Sequence, residues 1–217
     1  DDVDLNVFLP GIPMASMLNN GQACFNATRI LAPAKRYDEI VGAVAGMVSG
    51  LVVGDAMDAA THVGPMASSA HRDRVEGFIA KGREEARLVT GGGRPANHNR
   101  GWFVEPTVFA DVDNNAVIAQ EEIFGPVLSI IKYSDEADAV RIANDSQFGL
   151  GGSVWSADSA HATDVARKVD SGTVGVNGYM PALGSPFGGV KASGMGSEFG
   201  PEAVNGYLKT KSIYVMG

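Results

Sequence analysis

The sequence is poor in cysteine, in basic charge and in long apolar runs, and each shortage removes a class of protein. A single cysteine, Cys24, leaves no partner for an intrachain disulfide. The scattered histidines His62, His71, His98 and His161 stand at no usual zinc spacing from it, so no structural metal is expected. Lys and Arg number 17 against 25 Asp and Glu, a net charge of −8. That excess repels phosphate backbones and anionic lipid and argues against nucleic acid or a membrane surface as partner. No uncharged apolar run approaches the ~18 residues of a membrane span. The opening Asp1-Asp2-Val3-Asp4-Leu5 has neither the basic nor the apolar region of a secretion signal, which makes the cytoplasm the expected compartment. The usual fingerprints fail as well. Gly194-Met195-Gly196 meets Gly200 one position too late for G-x-G-x-x-G and follows no strand, and no Walker A, zinc-protease or G-x-S-x-G motif occurs.

Hydrophobic residues at 45% and charged residues at 19% are those of a chain that can build a core. Glycine, 28 of 217, is near twice its usual share, so loops with demanding backbone geometry are expected. Thr28 to Ala32 reads as a strand, followed by a helix with Tyr37, Ile40, Val41, Val44, Val48 and Leu51 at helical spacing. A second helix holds Val75, Phe78 and Ile79, and the short apolar run Arg87 to Thr90 follows. Val127 to Ile131 has the continuous apolar character of a strand covered on both faces, and Ser134-Asp135-Glu136 opens a helix through Val140. A strand at Gly152 to Trp155, a helix with Ala162, Val165, Ala166 and Val169 on one face, and a strand at Thr173 to Val176 continue the alternation. The pattern predicts an α/β fold with three layers and a mostly parallel, doubly wound sheet. Residues 178–200, dense in glycine, form a loop expected to line a site.

Two segments carry chemistry. Cys24, in Asn19-Asn20-Gly21-Gln22-Ala23-Cys24, falls between a helix and the first strand, a junction that can offer a thiol and its backbone N–H to one substrate atom. A lone cysteine is more often a small buried hydrophobe, and the polar, glycine-bearing flanks weigh against that here. In Gln120-Glu121-Glu122-Ile123-Phe124-Gly125-Pro126-Val127 a carboxylate at a strand entry could accept hydrogen bonds from a ribose diol while the adjacent ring packs on a heterocycle. An acidic pair at a helix end is otherwise a solvated face.

These segments, with Gly101-Trp102-Phe103-Val104-Glu105-Pro106-Thr107, Gly172-Thr173-Val174-Gly175-Val176-Asn177 and Pro186-Phe187-Gly188-Gly189-Val190-Lys191-Ala192-Ser193-Gly194, resemble the C-terminal half of the NAD(P)-dependent aldehyde dehydrogenases. The resemblance covers essentially the whole chain, while the family is roughly twice as long. It implies a catalytic domain over residues 1–208 and an oligomerisation strand over 209–217, without the N-terminal cofactor domain and its E-L-G-G-K glutamate. It implies an aldehyde substrate, NAD or NADP, and a homo-dimer or homo-tetramer. By resemblance Cys24 is the nucleophile that forms a thiohemiacetal and then a thioester. Glu122 holds the nicotinamide ribose with Phe124 packed nearby, and Leu18, Phe25, Asn177, Tyr179, Met180 and Phe187 shape the aldehyde pocket. Pro10 and Pro13 fall where the family has helix, so a kink is expected there. Two other readings stay open: a cysteine acyl-transferase or thioesterase, which needs a histidine base, and a non-catalytic homologue.

Overall fold

The computed structural model describes all 217 residues. In chain order the elements are α1 (Leu5–Ser16), β1 (Arg29–Pro33), α2 (Tyr37–Ser49), α3 (Ser69–Glu85), β2 (Arg87–Thr90), β3 (Thr107–Ala110), α4 (Val117–Gln120), β4 (Val127–Tyr133), α5 (Glu136–Asn144), β5 (Phe148–Gly149), β6 (Gly151–Val154), α6 (Ser159–Ala166), β7 (Thr173–Val176) and β8 (Val190–Lys191). Asp4, Ser68, Asp135 and Asp158 cap α1, α3, α5 and α6 by accepting from backbone N–H groups of the first turn.

The main sheet runs β1-β4-β3-β2, with β1, β4 and β3 parallel and β2 antiparallel at the edge. Its side chains alternate between two cores. Ile30, Ala32, Val108, Ala110, Leu128 and Ile130 face α1 and α2. Leu31, Phe109, Val127 and Ile131 face Val75 and Ile79 of α3, Ile118 of α4 and Ile142 of α5. This is the period of two expected of a covered strand, and it gives the three layers. The remaining strands stand apart as two pairs, parallel β6-β7 and antiparallel β5-β8. The parallel pair β6-β7 is thus separate from the main sheet, and no backbone hydrogen bond joins β1 to β6.

Pro10 and Pro13 lie inside α1 without ending it. Each removes a single donor, and Phe8, Ile12 and Ala15 still bury against the sheet, which holds the helix together. Residues 209–217 belong to no helix or strand and are exposed, so the tail does not complete the sheet of its own chain. No helix is long and apolar enough to cross a membrane.

Tyr37 fastens α2 to the sheet. Its hydroxyl donates to Ile130 O at 3.1 Å and accepts from Asp111 N at 2.5 Å, and burial pushes its phenol up from the ordinary value. Tyr37→Phe leaves Asp111 N without this partner and takes one donor from Ile130 O, which still accepts from Val112 N at 3.3 Å, so unfolding free energy should fall by about 0.5–1.5 kcal/mol. Urea denaturation should show this as a lower midpoint at unchanged slope.

Candidate functional site

After α1 the chain turns sharply through Leu18–Gly21, where Asn19, Asn20 and Gly21 have φ of 53°, 60° and 77°. Asparagine is the side-chain-bearing residue that best tolerates this left-handed region. The Asn20 amide bridges outward, accepting from Gly64 N at 2.6 Å and donating to Pro65 O at 3.2 Å, while Gln22 Oε1 accepts from Ala67 N at 2.9 Å. A Cβ on Gly21 would lie 2.1 Å from Gly125 O, so only glycine lets this turn rest on the Gly125-Pro126 turn. That contact brings the two chemistry-bearing segments together. Cys24 follows on an exposed turn before β1, and its N–H donates to no atom of the protein. The turn is tied down by Asn26 Nδ2 to Leu18 O at 3.0 Å and Ala27 N to Ala15 O at 2.8 Å.

Glu122, Ile123 and Phe124 connect α4 to β4. Arg74 donates to Glu122 O at 2.6 Å and to Ile123 O at 2.5 Å, and His71 Nε2 lies 2.6 Å from Phe124 O. Phe124 is itself left-handed, with φ 60°, and its ring meets His71 edge-on at 5.9 Å. With its backbone held this way, the Glu122 side chain is exposed and makes no hydrogen bond or ion pair. A carboxylate with free oxygens on a held backbone can accept from the two hydroxyls of a ribose. The sequence reading missed His71 and Arg74. Their signal was spacing, three apart and just after the Ser68 cap, which sets both on one face of α3.

The residues nominated for a substrate pocket separate into two groups. Phe25, next to Cys24, meets Tyr179 edge-on at 5.9 Å and Phe187 at 6.1 Å. Phe187 in turn lies 6.0 Å from Phe199, which the sequence reading did not nominate. Tyr179 is buried, its hydroxyl 2.5 Å from Thr173 Oγ1, and burial pushes its phenol up. Asn177 does not join these rings. Its amide is engaged by Ser156, accepting from the N–H at 2.9 Å and donating to the carbonyl at 2.9 Å, which closes the β6 end. Met180 is exposed, and Leu18 contributes its carbonyl to Asn26.

The family described as "Aldehyde dehydrogenase family" matches residues 1–213. Over 217 residues the chain is 63% identical to the geranial dehydrogenase of Castellaniella defragrans, covering 100% of this chain and 45% of that protein. It is 42% identical over 218 residues to a betaine aldehyde dehydrogenase of Sinorhizobium fredii, covering 99% and 45%. Among solved structures, a Mycobacterium tuberculosis aldehyde dehydrogenase complexed with NAD+ superposes with a TM-score of 0.96 at 52% identity, covering 100% of this chain and 45% of that one. An aldehyde dehydrogenase C mutant from Pseudomonas syringae, complexed with NAD+ and octanal, gives 0.94 at 41% identity, covering 98% and 44%. The chain thus spans less than half the length of the relatives it matches.

Proposed function

Because the chain belongs to the aldehyde dehydrogenase family, we propose that residues 1–217 form the thiol-bearing part of an enzyme that oxidises an aldehyde to a carboxylic acid with NAD or NADP. One observation carries the reading: Cys24 presents a thiol and an unused N–H on one exposed turn, and Gly21 fixes that turn against the segment of Glu122. The Cys24 thiolate adds to the aldehyde carbon, and the Cys24 N–H donates to the oxygen that becomes negative. The dinucleotide supplies the acceptor for the hydride, whose loss leaves a thioester on Cys24 for water to cleave. The Glu122 carboxylate holds the nicotinamide ribose, with Arg74 and His71 as positioning residues that act through its backbone. The rings of Phe25, Tyr179, Phe187 and Phe199 form an apolar wall suited to a hydrocarbon aldehyde chain, in keeping with the geranial named for the relative at 63% identity.

The test is Glu122→Gln in the full-length protein. The amide keeps the shape and loses the charge that strengthens hydrogen bonds from the ribose, worth about 1.5–3 kcal/mol for a charged acceptor. The Kd for the dinucleotide should rise about tenfold or more and hydride transfer should slow, while alkylation of Cys24 by iodoacetamide proceeds at the parent rate. An unchanged Kd and an unchanged rate would remove the ribose role.

The exposed tail is read as an interface between subunits. Ile213, Tyr214, Val215 and Met216 expose 77%, 85%, 89% and 94% of their surface, a run of apolar side chains with no partner in its own chain. Deleting residues 209–217 should shift the full-length protein from dimer or tetramer toward monomer, raising the dissociation constant about tenfold or more. Sedimentation velocity at matched concentrations reads the change, and identical distributions would take the tail out of the interface.

A further inference from the structure

The clamp of His71 and Arg74 grips the carbonyls of Glu122, Ile123 and Phe124, so it steadies this segment from Glu122 onward. The stretch that leads into Glu122 is held by a different side chain. Gln120, the last residue of α4, donates through Nε2 to Asn114 O at 2.5 Å and to Asp145 O at 3.0 Å. Two backbone carbonyls can be met only by the nitrogen of a glutamine amide, so both its hydrogens are used and the orientation is fixed.

Both carbonyls belong to segments anchored on Arg29, the first residue of β1. Its guanidinium donates to Asn114 Oδ1 at 2.7 Å, to Ile142 O at 3.1 Å and to Ala143 O at 3.0 Å. Ile142 and Ala143 lie in the last turn of α5, where carbonyls run short of N–H partners and a helix end favours positive charge. Asp145 does not meet the cation directly. It accepts from Asn114 Nδ2 at 2.9 Å, so the buried Asn114 amide stands between cation and anion and links one to the other. Burial pushes the Arg29 guanidinium down from its ordinary value, and Asp145 acts in the opposite sense. A charge taken out of water in this way contributes little net stability, but it holds the start of β1, the turn ahead of α4 and the end of α5 in one geometry. Through Gln120 that geometry extends to the approach to Glu122. Arg29 also follows Cys24 closely, and Thr28 O accepts from Ser129 N at 2.9 Å, so the same cation stands where the thiol turn enters the sheet.

We propose that Gln120 is a positioning residue for the reaction, anchored to Arg29 through Asn114 and the end of α5, and that it sets where the Glu122 carboxylate meets the ribose relative to Cys24. The inference rests on the ribose role of Glu122. Residues 121–124 belong to no helix or strand, so their path is set by how the two ends are held. Gln120 holds one end, and the clamp of His71 and Arg74 holds the other. With one end loose, the exposed carboxylate samples several places and binding has to order it. With both ends held, that ordering is complete before the dinucleotide arrives. Gln120 thus acts on the dinucleotide only through Glu122. Leucine at this position keeps the size and removes both donors, while Asp145 O still accepts from Asn114 Nδ2 at 3.1 Å.

The test is a double-mutant cycle in the full-length protein, with Gln120→Leu, Glu122→Gln and the two combined, and the NAD+ Kd read by isothermal titration calorimetry. Gln120→Leu should raise the Kd about fivefold in the parent and less than about twofold where Glu122 is already glutamine, because residues that act through one another are not additive. In the protein without dinucleotide, the amides of Gln120 and Glu121, which donate to Ala116 O and Val117 O, should exchange about tenfold faster. Tyr37→Phe, which loosens the opposite face of the sheet, is the control and should leave the Kd within about twofold. An equal rise in both backgrounds means that Gln120 reaches the dinucleotide without Glu122, and overturns the positioning role. A rise that Tyr37→Phe reproduces is a general loosening, and also overturns it. If Glu122→Gln alone leaves the Kd unchanged, the ribose reading falls. A raised Kd there with a parent Kd in Gln120→Leu strikes the positioning role by itself. Arg29→Lys, whose ammonium cannot span the three acceptors of the planar fork, should follow Gln120→Leu through the cycle, and a parent Kd overturns the anchor. Should that variant not fold, the Gln120 cycle alone decides.

Discussion

Replacing Cys24 by serine in the full-length protein should abolish aldehyde oxidation, lowering kcat/KM by at least about a thousandfold while the dinucleotide Kd stays within about twofold. A thiol gives up its proton far more readily than an alcohol, so a serine hydroxyl at this position has no comparable route to the attacking anion. The substitution keeps the turn and the Cys24-position N–H, so the loss reports the nucleophile and leaves the oxyanion donor in place. Stopped-flow absorbance should show no NADH burst. Turnover within tenfold of the parent would sink the nucleophile assignment, whatever happens to the steady-state KM.

Gly21→Ala should be nearly as damaging, and for a different reason. The new methyl group would sit 2.1 Å from Gly125 O, inside the 3.0 Å that Cβ atoms respect, so the Cys24 turn and the Glu122 segment must part by about 0.9 Å. Its φ of 77° adds about 1–2 kcal/mol of left-handed strain for a residue bearing a Cβ. Misplacement by an ångström costs about a hundredfold in a reaction that depends on alignment. The expected result is kcat/KM lower by about two orders of magnitude, with Cys24 still alkylated by iodoacetamide. This separates a displaced thiol from a lost one. Activity within threefold of the parent would mean that the Gly21–Gly125 contact positions nothing.

Most of the scaffold is legible in the sequence because its signals are local and repeated. The α2 residues Tyr37, Ile40, Val41, Val44 and Val48 are buried at helical spacing, and Val127 to Ile131 is buried on both faces of β4. β3 was passed over, since four residues, Thr107–Ala110, are too few for any period to show, and only the neighbours β4 and β2 identify them as a strand. The break between β1 and β6 was equally invisible, because a missing hydrogen-bond partner leaves no trace in the residues on either side. At the candidate site, Cys24 stood out as the lone thiol with polar, glycine-bearing flanks, while the choice of Glu122 from its acidic pair came from the motif match. The clamp from His71 and Arg74 did not stand out, because it joins residues 48 to 53 positions apart through backbone carbonyls that carry no residue type. Asn177 shows the reverse case. A motif match assigned it to the pocket, and its left-handed backbone, φ 54°, with its bonds to Ser156, gives it a structural duty.

Asn20 and Gly21 also open the Cys24 turn to a chemical route of ageing. An asparagine followed by glycine is the pair in which the next backbone nitrogen most readily attacks the side-chain amide, releasing ammonia and leaving aspartate or isoaspartate, and asparagine is among the residues that heat destroys. In this fold the attacking nitrogen, Gly21 N, donates to Met17 O at 3.2 Å, and the Asn20 amide is held by Gly64 and Pro65. The folded turn thus protects its own chemistry, and damage accumulates in molecules whose turn has opened. Each such event puts a negative charge, and often an extra backbone carbon, where Asn20 donated to Pro65 O, so the strap that sets Cys24 in place cannot close again. Of the three Asn-Gly pairs, at Asn20, Asn177 and Asn205, this is the one whose conversion reaches the Cys24 turn while leaving the core untouched.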